Sequence, residues 1–356
     1  MNKLIHSIVL FASVSFIITW QLLPLTSEHK PPSHHTDSGF KNIYPGYQDK
    51  DFGDFLFWIL IDRARNGRTK GPDDVNLPCV ENDGSFLKEK HKYPTFTWVG
   101  HSTFLIQVDG INILTDPVWS DRASPLSFVG PKRYVKPGLE FSQLPDIDIV
   151  MISHDHYDHL DTNTILKLGN KPLYMVPLGV EKILSDLDIT NVSIHDWWEA
   201  IEYNNIRVTA VPAQHFSGRT MFDRNTSLWC GWVITTSKSV IYFAGDTGYF
   251  PGFTEIKDKF GKIDIAMLPI GAYKPRWFMG PVHLDPADAI KAYLDLKADI
   301  FVAIHWGTFP LADEEMDEPP KLLFHELDKL GLEHKNFNVF SHGETRTLQT
   351  SPSKKR

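Results

Sequence analysis

The residues best suited to chemistry form the hexapeptide HDHYDH at positions 154–159, directly after an apolar run. In the extended backbone that follows a strand, side chains two residues apart point the same way, so His154 and His156 can bind one metal ion. Asp158 and His159 come next, where they can face a second ion. Zinc accepts imidazole nitrogens and carboxylate oxygens as ligands, and this density of histidines serves little structural purpose. The hexapeptide therefore predicts a zinc site.

Three more potential ligands, His215, Asp246 and His305, follow apolar runs further along the chain. Each comes at the carboxyl end of a predicted buried strand, and such ends commonly converge where loops build a site. Gly245 and Gly248 flank Asp246 and would let the backbone turn sharply beside a metal. A pair of ions needs about six or seven protein ligands and a shared oxygen. We therefore predict two zinc ions, held by His154, His156, Asp158, His159, His215, Asp246 and His305.

The other histidines have contexts that do not predict metal binding. His34 and His35 lie in the polar stretch SEHKPPSHHTDS (27–38), and we interpret them as solvated linker residues. His195 precedes two tryptophans and is interpreted as a packing residue. For His101, in WVGHSTFLI, two interpretations stay open: support of the metal ligands, or a structural role.

The elements that must position these residues are short β-rich runs, followed by strands that alternate with helices. Asp109-Gly110 joins two such runs and predicts a hairpin turn. Mixed strands with separate helices predict an α/β (α+β) fold of two sheets covered by helices. The predicted strands cover 95–99, 103–108, 111–115, 146–153, 206–213, 239–244, 262–269 and 299–304, and the predicted helices cover 163–169, 180–187, 286–297 and 319–331.

Composition limits the classes of protein to consider. The 356 residues, 42% of them hydrophobic, suffice for one large domain with a sizeable core. The net charge of −8 disfavours general nucleic-acid binding, which needs clustered lysines and arginines. The two cysteines exclude a disulfide-scaffold protein and lack the spacing of a zinc knuckle.

The N-terminus has the pattern of a targeting segment. Lys3 precedes the apolar stretch 8–20, which predicts a secretory signal peptide or an uncleaved membrane anchor, with a buried soluble helix as the alternative. We therefore expect a membrane-associated or exported protein. The predicted organisation is a signal or anchor (1–26), a linker (27–39), an N-terminal extension (40–93), a catalytic domain (94–346) and a basic tail (347–356).

Longer stretches around the ligands resemble a known family. HDHYDH with the downstream His, Asp and His resembles the metallo-β-lactamase superfamily, whose fold is an αββα sandwich. More narrowly, the chain resembles the N-acyl-phosphatidylethanolamine-hydrolysing phospholipase D family. The matching stretches are LTDPVWSDRASP (114–125), GPKRY (130–134), LPDIDIVMISHDHYDHLD (144–161), PAQH (212–215), FAGDTGY (243–249), PIGAYKPRWFM (269–279), HLDPADA (283–289), AIHWGTF (303–309) and SHGETR (341–346).

The resemblance implies a dinuclear zinc phosphodiesterase that hydrolyses N-acyl-phosphatidylethanolamine to N-acylethanolamine and phosphatidic acid. A zinc pair makes a nucleophile available at neutral pH and stabilises charge on a phosphoryl oxygen. We expect Asp246 to orient that nucleophile, and His283 to contact the phosphate or protonate the leaving oxygen; a helix-start role is the alternative for His283. By the resemblance, the first zinc is held by His154, His156 and His215, the second by Asp158, His159 and His305, and both by Asp246.

Features for lipid binding lie outside the ligand motifs. The segment FGDFLFWILIDRAR (52–65) is apolar on nearly every helical face, so one stripe can pack on the domain while the rest meets acyl chains; full burial is the alternative. Lys132, Arg133 and Arg276 are candidate cations for a head group. The stripe comprises Phe52, Phe55, Leu56, Ile59 and Leu60, and the apolar candidates for the approach to the site are Trp119, Phe128, Trp277, Phe278 and Met279.

The residues alone leave other functions open. Lactonases and β-lactamase-like hydrolases can use the same ligands, because one fold and site serve many substrates. A membrane-tethered metal-binding envelope protein is the non-enzymatic alternative, although a structural zinc site is usually closed and four-coordinate. We expect a phospholipid substrate and a membrane surface as partners, and we expect no binding of nucleic acid. A homodimer is a possible assembly.

Overall fold

The computed structural model describes residues 32–66, 77–89 and 91–349. Its strands are β1 (His35–Thr36), β2 (Gly39–Phe40), β3 (Thr95–Gly100), β4 (Thr103–Val108), β5 (Ile111–Thr115), β6 (Ile149–Met151), β7 (Leu173–Pro177), β8 (Val192–His195), β9 (Ala200–Tyr203), β10 (Ile206–Val211), β11 (Gly231–Thr235), β12 (Val240–Phe243), β13 (Ile265–Pro269), β14 (Ile300–Ile304), β15 (Phe337–Asn338) and β16 (Thr345–Thr347). Its α-helices are α1 (Phe52–Leu56), α2 (Arg63–Asn66), α3 (Thr162–Leu168), α4 (Glu181–Ser185), α5 (Gly252–Phe260), α6 (Arg276–Met279), α7 (Pro286–Asp295) and α8 (Glu318–Leu330).

Two seven-stranded sheets carry the fold, in the orders β16-β3-β4-β5-β6-β7-β8 and β15-β14-β13-β12-β11-β10-β9. In the first sheet β3, β4 and β5 are antiparallel, and β5 to β8 are parallel. The second sheet repeats this arrangement, with β9 to β12 antiparallel and β12 to β15 parallel. The strands β10, β12, β13 and β14 therefore run in one direction, and their carboxyl ends lie at the same edge.

The predicted hairpin between β4 and β5 is confirmed. Val108 pairs with Ile111, and the two turn residues Asp109 and Gly110 have φ values of 49° and 81°. Positive φ at both central residues is the type I′ turn, whose twist matches the twist of the flanking strands.

Helices cover the outer faces of the two sheets. Leu105 and Leu114 of the first sheet share a buried cluster with Ile165 of α3. The other face of the first sheet and the buried residues of the second sheet belong to the main core. Helices α5, α7 and α8 also contribute residues to this core. The predicted two-sheet sandwich with helical outer layers is therefore confirmed. Strands β7, β8, β9 and β11 and helix α5 are among the elements that were not predicted; β8 and β9 are edge strands with weak alternation.

The predicted N-terminal extension packs against the two-sheet sandwich. Asn42 donates a hydrogen bond of 2.7 Å to the carbonyl oxygen of His215. The interpretation of His34 as a solvated linker residue is wrong, because its side chain is only 5% exposed and bonds Asp196 at 2.6 Å. The predicted signal or anchor lies outside the described residues. Within the described ranges, no helix has the length and apolar character needed to cross a membrane.

The apolar segment after residue 51 is helical. Its buried side chain is not one of those in the predicted stripe. After α1 the backbone widens into π-helical turns over Phe57–Asp62, where the N–H of Arg63 donates to the carbonyl of Trp58. Trp58 is buried and donates to Asp313 at 2.5 Å, whereas four of the five stripe residues are exposed. The alternative of full burial is also wrong. The exposed residues are Phe52, Phe55, Leu56, Phe57, Leu60 and Ile61.

Candidate metal centre

Strand ends from both sheets bring the predicted ligands together. His215, Asp246 and His305 follow β10, β12 and β14 of the second sheet, and HDHYDH follows β6 of the first sheet. Backbone freedom makes this approach feasible at Gly245, which has a φ of 59° and where a Cβ would come within 2.5 Å of the Ser153 side chain. All seven predicted ligands belong to groups whose nitrogen and oxygen atoms lie within 4.8 Å of one another.

The first ligand group consists of His154, His156 and His215. Nε2 of His154 lies 2.8 Å from Nδ1 of His156, and Nε2 of His215 lies 3.3 Å from the same Nδ1. Three nitrogens therefore face one point, as a tetrahedral zinc site with one further ligand requires.

The second ligand group consists of Asp158, His159 and His305, joined to the first by Asp246. Oδ2 of Asp158 lies 3.3 Å from Nε2 of His159 and 3.4 Å from Nε2 of His305. Oδ2 of Asp246 lies 3.3 Å from His159 Nε2 and 3.8 Å from His215 Nε2, so it approaches both groups. This is the position that a ligand shared by two ions would occupy.

Unpaired buried atoms test whether a metal fits this cluster. Asp246 Oδ1 is buried and has no hydrogen-bond partner within the described part of the chain, and the buried atoms His159 Nε2 and His305 Nε2 lie near carboxylate oxygens without an aligned hydrogen bond. Buried polar atoms in folded proteins are nearly always paired, and an ion bound between these atoms would supply the missing partner. Imidazole nitrogens and carboxylate oxygens at this spacing fit divalent metal ions such as zinc.

Neighbouring side chains orient the ligands. Asp116 Oδ2 lies 2.6 Å from Nδ1 of His159, and Ser153 donates to Asp116 from its backbone N–H and its hydroxyl. His101 Nε2 lies 2.8 Å from Asp158 Oδ2, a contact that favours support of the predicted ligands over a purely structural role. Metal-binding histidines usually have such a partner on the second ring nitrogen.

Burial and charge fix the protonation of the cluster. Burial holds the pKa of His154 and of His215 well below the usual value, so both rings are neutral, the form that binds metals. Burial also opposes a charge on His159, but Asp246, Asp158 and Asp116 outweigh it and raise its pKa well above the usual value. The carboxylate side of the cluster therefore attracts positive charge, whether protons or metal ions.

A cavity of about 730 Å³ opens onto the cluster, a volume that suits a ligand larger than a single phosphate. His283 lies in its wall, and Nδ1 of His283 is 3.8 Å from Asp246 Oδ2. Burial lowers the pKa of His283 to about 3. The cluster contributes His156, Asp158 and Asp246 to the lining, and the apolar lining residues include Phe52, Phe55, Trp58, Phe216, Met221, Phe278, Met279, Val282 and Leu311.

Several residues that the sequence favours at the approach have other roles. Trp119 is buried in the cluster between the first sheet and helix α3. Arg133 is buried and donates to the carbonyls of Val118 and Ser120. Arg276 donates to a carboxylate oxygen of Asp288 and to the carbonyl oxygen of His283. It therefore holds the His283 backbone and does not line the cavity.

Residues of the loop 216–224 line the cavity and were missed by sequence reasoning. Phe216, Met221 and Arg224 contribute to the wall, together with Lys50 from the N-terminal extension. The position of Phe216 directly after the ligand His215 was the available signal. Nothing local marks Arg224, because its place depends on how the loop folds back.

A family model for the beta-lactamase superfamily domain matches residues 111–306. An uncharacterized protein of Mycobacterium tuberculosis is 38% identical over 308 residues, which cover 83% of this chain and 80% of the relative. The Caenorhabditis elegans protein named N-acyl-phosphatidylethanolamine-hydrolyzing phospholipase D 1 is 39% identical over 244 residues, or 65% of this chain and 68% of the relative. The Saccharomyces cerevisiae protein named N-acyl-phosphatidylethanolamine-hydrolyzing phospholipase D, mitochondrial, is 37% identical over 263 residues, which cover 70% of this chain and 55% of the relative.

Solved structures show the same fold. Igni18, a metallo hydrolase from the archaeon Ignicoccus hospitalis, has a TM-score of 0.56 and 22% identity, covering 73% of this chain and 100% of its own. An isothiocyanate hydrolase from Delia radicum gut bacteria has a TM-score of 0.59 and 19% identity, covering 71% and 99%. The chain therefore belongs to the metallo-β-lactamase superfamily of metal-dependent hydrolases, together with the N-acyl-phosphatidylethanolamine-hydrolysing phospholipases D that it resembles.

Proposed function

We propose that the protein hydrolyses N-acyl-phosphatidylethanolamine-type phospholipids to N-acylethanolamine and phosphatidic acid with two zinc ions. The observation that carries this proposal is the cavity, whose apolar walls lead to a cluster of histidine and aspartate side chains. The names of the worm and yeast relatives support the same substrate class.

The cavity walls suit an acyl chain. Trp58 stacks on Phe278 at 5.0 Å, and Phe55 lies 6.5 Å from the same ring, so aromatic surface from two segments faces one space. Each square ångström of apolar surface that a chain covers contributes about 25 cal/mol. A compact polar antibiotic would leave most of this surface uncovered.

The two ligand groups support one site for each proposed ion. His154, His156 and His215 would hold the first ion, and Asp158, His159 and His305 the second, with Asp246 shared. Two bound zinc ions would supply a nucleophile at neutral pH and stabilise negative charge on a phosphoryl oxygen.

The chain's own residues position the reaction. Asp246 lies between the two ligand groups, and His283 in the cavity wall would contact the phosphate. Water adds to phosphorus, the bond from phosphorus to the ethanolamine oxygen breaks, and that oxygen takes up a proton. Phosphatidic acid and N-acylethanolamine then account for every atom of lipid and water.

A membrane surface is the proposed place of action. Phe222 is 91% exposed and Leu60 is 64% exposed, and each belongs to a segment that also lines the cavity. Exposed apolar side chains of this size are typical of lipid or protein contact.

Deleting residues 4–25 and fractionating cells tests the separate prediction of an N-terminal signal or anchor. Equal solubility of the full-length and shortened proteins would contradict an anchor. A homodimer also stays a prediction.

The alternatives differ in substrate. A lactonase or β-lactamase-like enzyme would use the same ligands, whereas a purely structural metal protein would not need a large cavity at the metal. The test is a paired assay of zinc-supplemented protein with N-acyl-phosphatidylethanolamine in detergent micelles and with a cephalosporin reporter. We expect chelator-sensitive release of N-acylethanolamine. Cephalosporin hydrolysis without phospholipid cleavage would overturn the proposal.

A further inference from the structure

Among the described residues, the lysine and arginine side chains that line the cavity are those of Lys50 and Arg224. The arginines that the sequence favours, Arg133 and Arg276, are engaged with backbone carbonyls and carboxylates of the chain itself. The positive charge available to a ligand in this cavity therefore comes from the N-terminal extension and from the loop after His215.

Arg224 lies one aromatic ring away from the first ligand group. Its guanidinium carbon is 4.5 Å from the centre of the Phe216 ring. The Phe216 ring is in turn 4.6 Å from the ring of His156 and 4.8 Å from that of His215. An anion that reaches the ligands from the cavity thus passes close to this guanidinium.

The loop that carries Arg224 is held in place by a buried carboxylate. Asp155 accepts hydrogen bonds of 2.8 Å from the N–H of Gly218 and 2.6 Å from the hydroxyl of Ser227. Arg219 in the same loop donates to two backbone carbonyls and is not available to a ligand. The loop therefore presents one arginine to the cavity and uses the other for its own anchoring.

The present partner of Arg224 is easily replaced. Arg224 Nη2 lies 2.8 Å from Oδ1 of Asp49, and the two side chains are 41% and 63% exposed. An exposed pair of this kind contributes about 0–1 kcal/mol, so a phosphate oxygen can take the place of Asp49. Asp49 would keep its hydrogen bond from the Tyr47 hydroxyl.

We propose that Arg224 recognises the anionic head group of the substrate, exchanging Asp49 for a phosphate oxygen, and so selects anionic over zwitterionic phospholipids. This inference rests on the proposed function for the identity of the substrate. N-acylation removes the ammonium charge of ethanolamine, so the phosphate charge is left uncompensated. A zwitterionic lipid would instead bring its own cation towards Arg224 and Lys50, which disfavours its binding.

The experiment compares four variants of the full-length, zinc-supplemented protein. Arg224→Gln should raise KM for N-acyl-phosphatidylethanolamine and weaken binding of phosphatidic acid in detergent micelles, each roughly tenfold, because one charge-assisted hydrogen bond is lost. Binding of phosphatidylcholine micelles should not weaken. Arg224→Lys should recover part of the loss. Arg207→Gln is the matched control, since Arg207 forms a similar exposed pair with Glu202 on β9 and β10.

Asp49→Asn separates recognition from tethering. If Arg224 recognises the anion, Asp49→Asn retains or improves binding of phosphatidic acid. A loss equal to that of Arg224→Gln would show that the pair only tethers the N-terminal extension, and would overturn the inference, as would wild-type values for Arg224→Gln. If the wild-type protein cleaves no phospholipid but binds phosphatidic acid through Arg224, the proposed function fails and anion recognition stands.

Discussion

Oδ2 of Asp246 lies 2.9 Å from Nε2 of His305, and both side chains are buried. The same carboxylate oxygen lies 3.3 Å from Nε2 of His159, which follows a strand of the other sheet. One carboxylate therefore joins ligands from both halves of the sandwich. In the proposed two-ion centre, this carboxylate would be the ligand that both ions share.

Replacing Asp246 with asparagine should remove most activity. The amide keeps the size of the side chain but removes the charge that two ions would share. We expect a loss in kcat on the order of 100-fold or more, comparable to removal of a major electrostatic stabiliser. Bound metal is measured in the same samples, and near-normal turnover with both metals retained would contradict the assigned role.

The metal content should be close to two divalent ions per chain after zinc supplementation. The prediction follows from the two ligand groups and their shared aspartate. Elemental analysis for zinc and iron measures the stoichiometry and the identity of the metal. A stable content near one or zero would exclude the two-ion arrangement, and a chelator that removes metal without reducing hydrolysis would exclude metal-dependent chemistry.

Asp116 should act through His159. Its carboxylate accepts the Nδ1 proton of His159 at 2.6 Å and thereby directs Nε2 towards the cluster. We expect Asp116→Asn to reduce zinc affinity by roughly 10- to 100-fold. Asp161→Asn is a control, because Asp161 is also buried but caps α3. Equal zinc affinities for the two variants would show that Asp116 has no special role in metal binding.

Asp196 should stabilise, in a pH-dependent way, the docking of the antiparallel pair of strands β1 and β2. Burial opposes its ionisation, but hydrogen bonds from His34 and from the Trp197 N–H hold its pKa below 3.8. A depressed carboxyl pKa contributes stability above the unfolded value and loses it as pH falls through the folded value. Asp196→Asn should therefore lower the free energy of unfolding at pH 7 by about 1–2 kcal/mol. Denaturant titrations should show this difference shrinking below about pH 4; a difference unchanged at acid pH would contradict the assignment.

The clustering of the seven candidate ligands was predictable from the sequence because each of them has a local signal. HDHYDH is a dense motif, and His215, Asp246 and His305 each follow a run that became a strand. Strands of one direction place their carboxyl ends together, so local patterns were sufficient to expect a shared site. The hairpin at Asp109 was equally local.

Other features depend on partners that are distant in sequence. His34 bonds Asp196, 162 residues away, and Trp58 bonds Asp313, 255 residues away. The π-helical turns after α1 also shift the helical register, so a stripe drawn with regular spacing selects the wrong face. Arg133 has the same local character as Arg224, and only the tertiary structure shows that the first binds carbonyls while the second lines the cavity.

Hydrolysis in ¹⁸O-labelled water tests the central claim most directly. Zinc-supplemented protein is incubated with N-acyl-phosphatidylethanolamine micelles, and both products are analysed by mass spectrometry. If water attacks phosphorus, one ¹⁸O appears in phosphatidic acid and none in N-acylethanolamine. Label in N-acylethanolamine, or release of free fatty acid in place of both products, would contradict a phosphodiesterase at this metal centre.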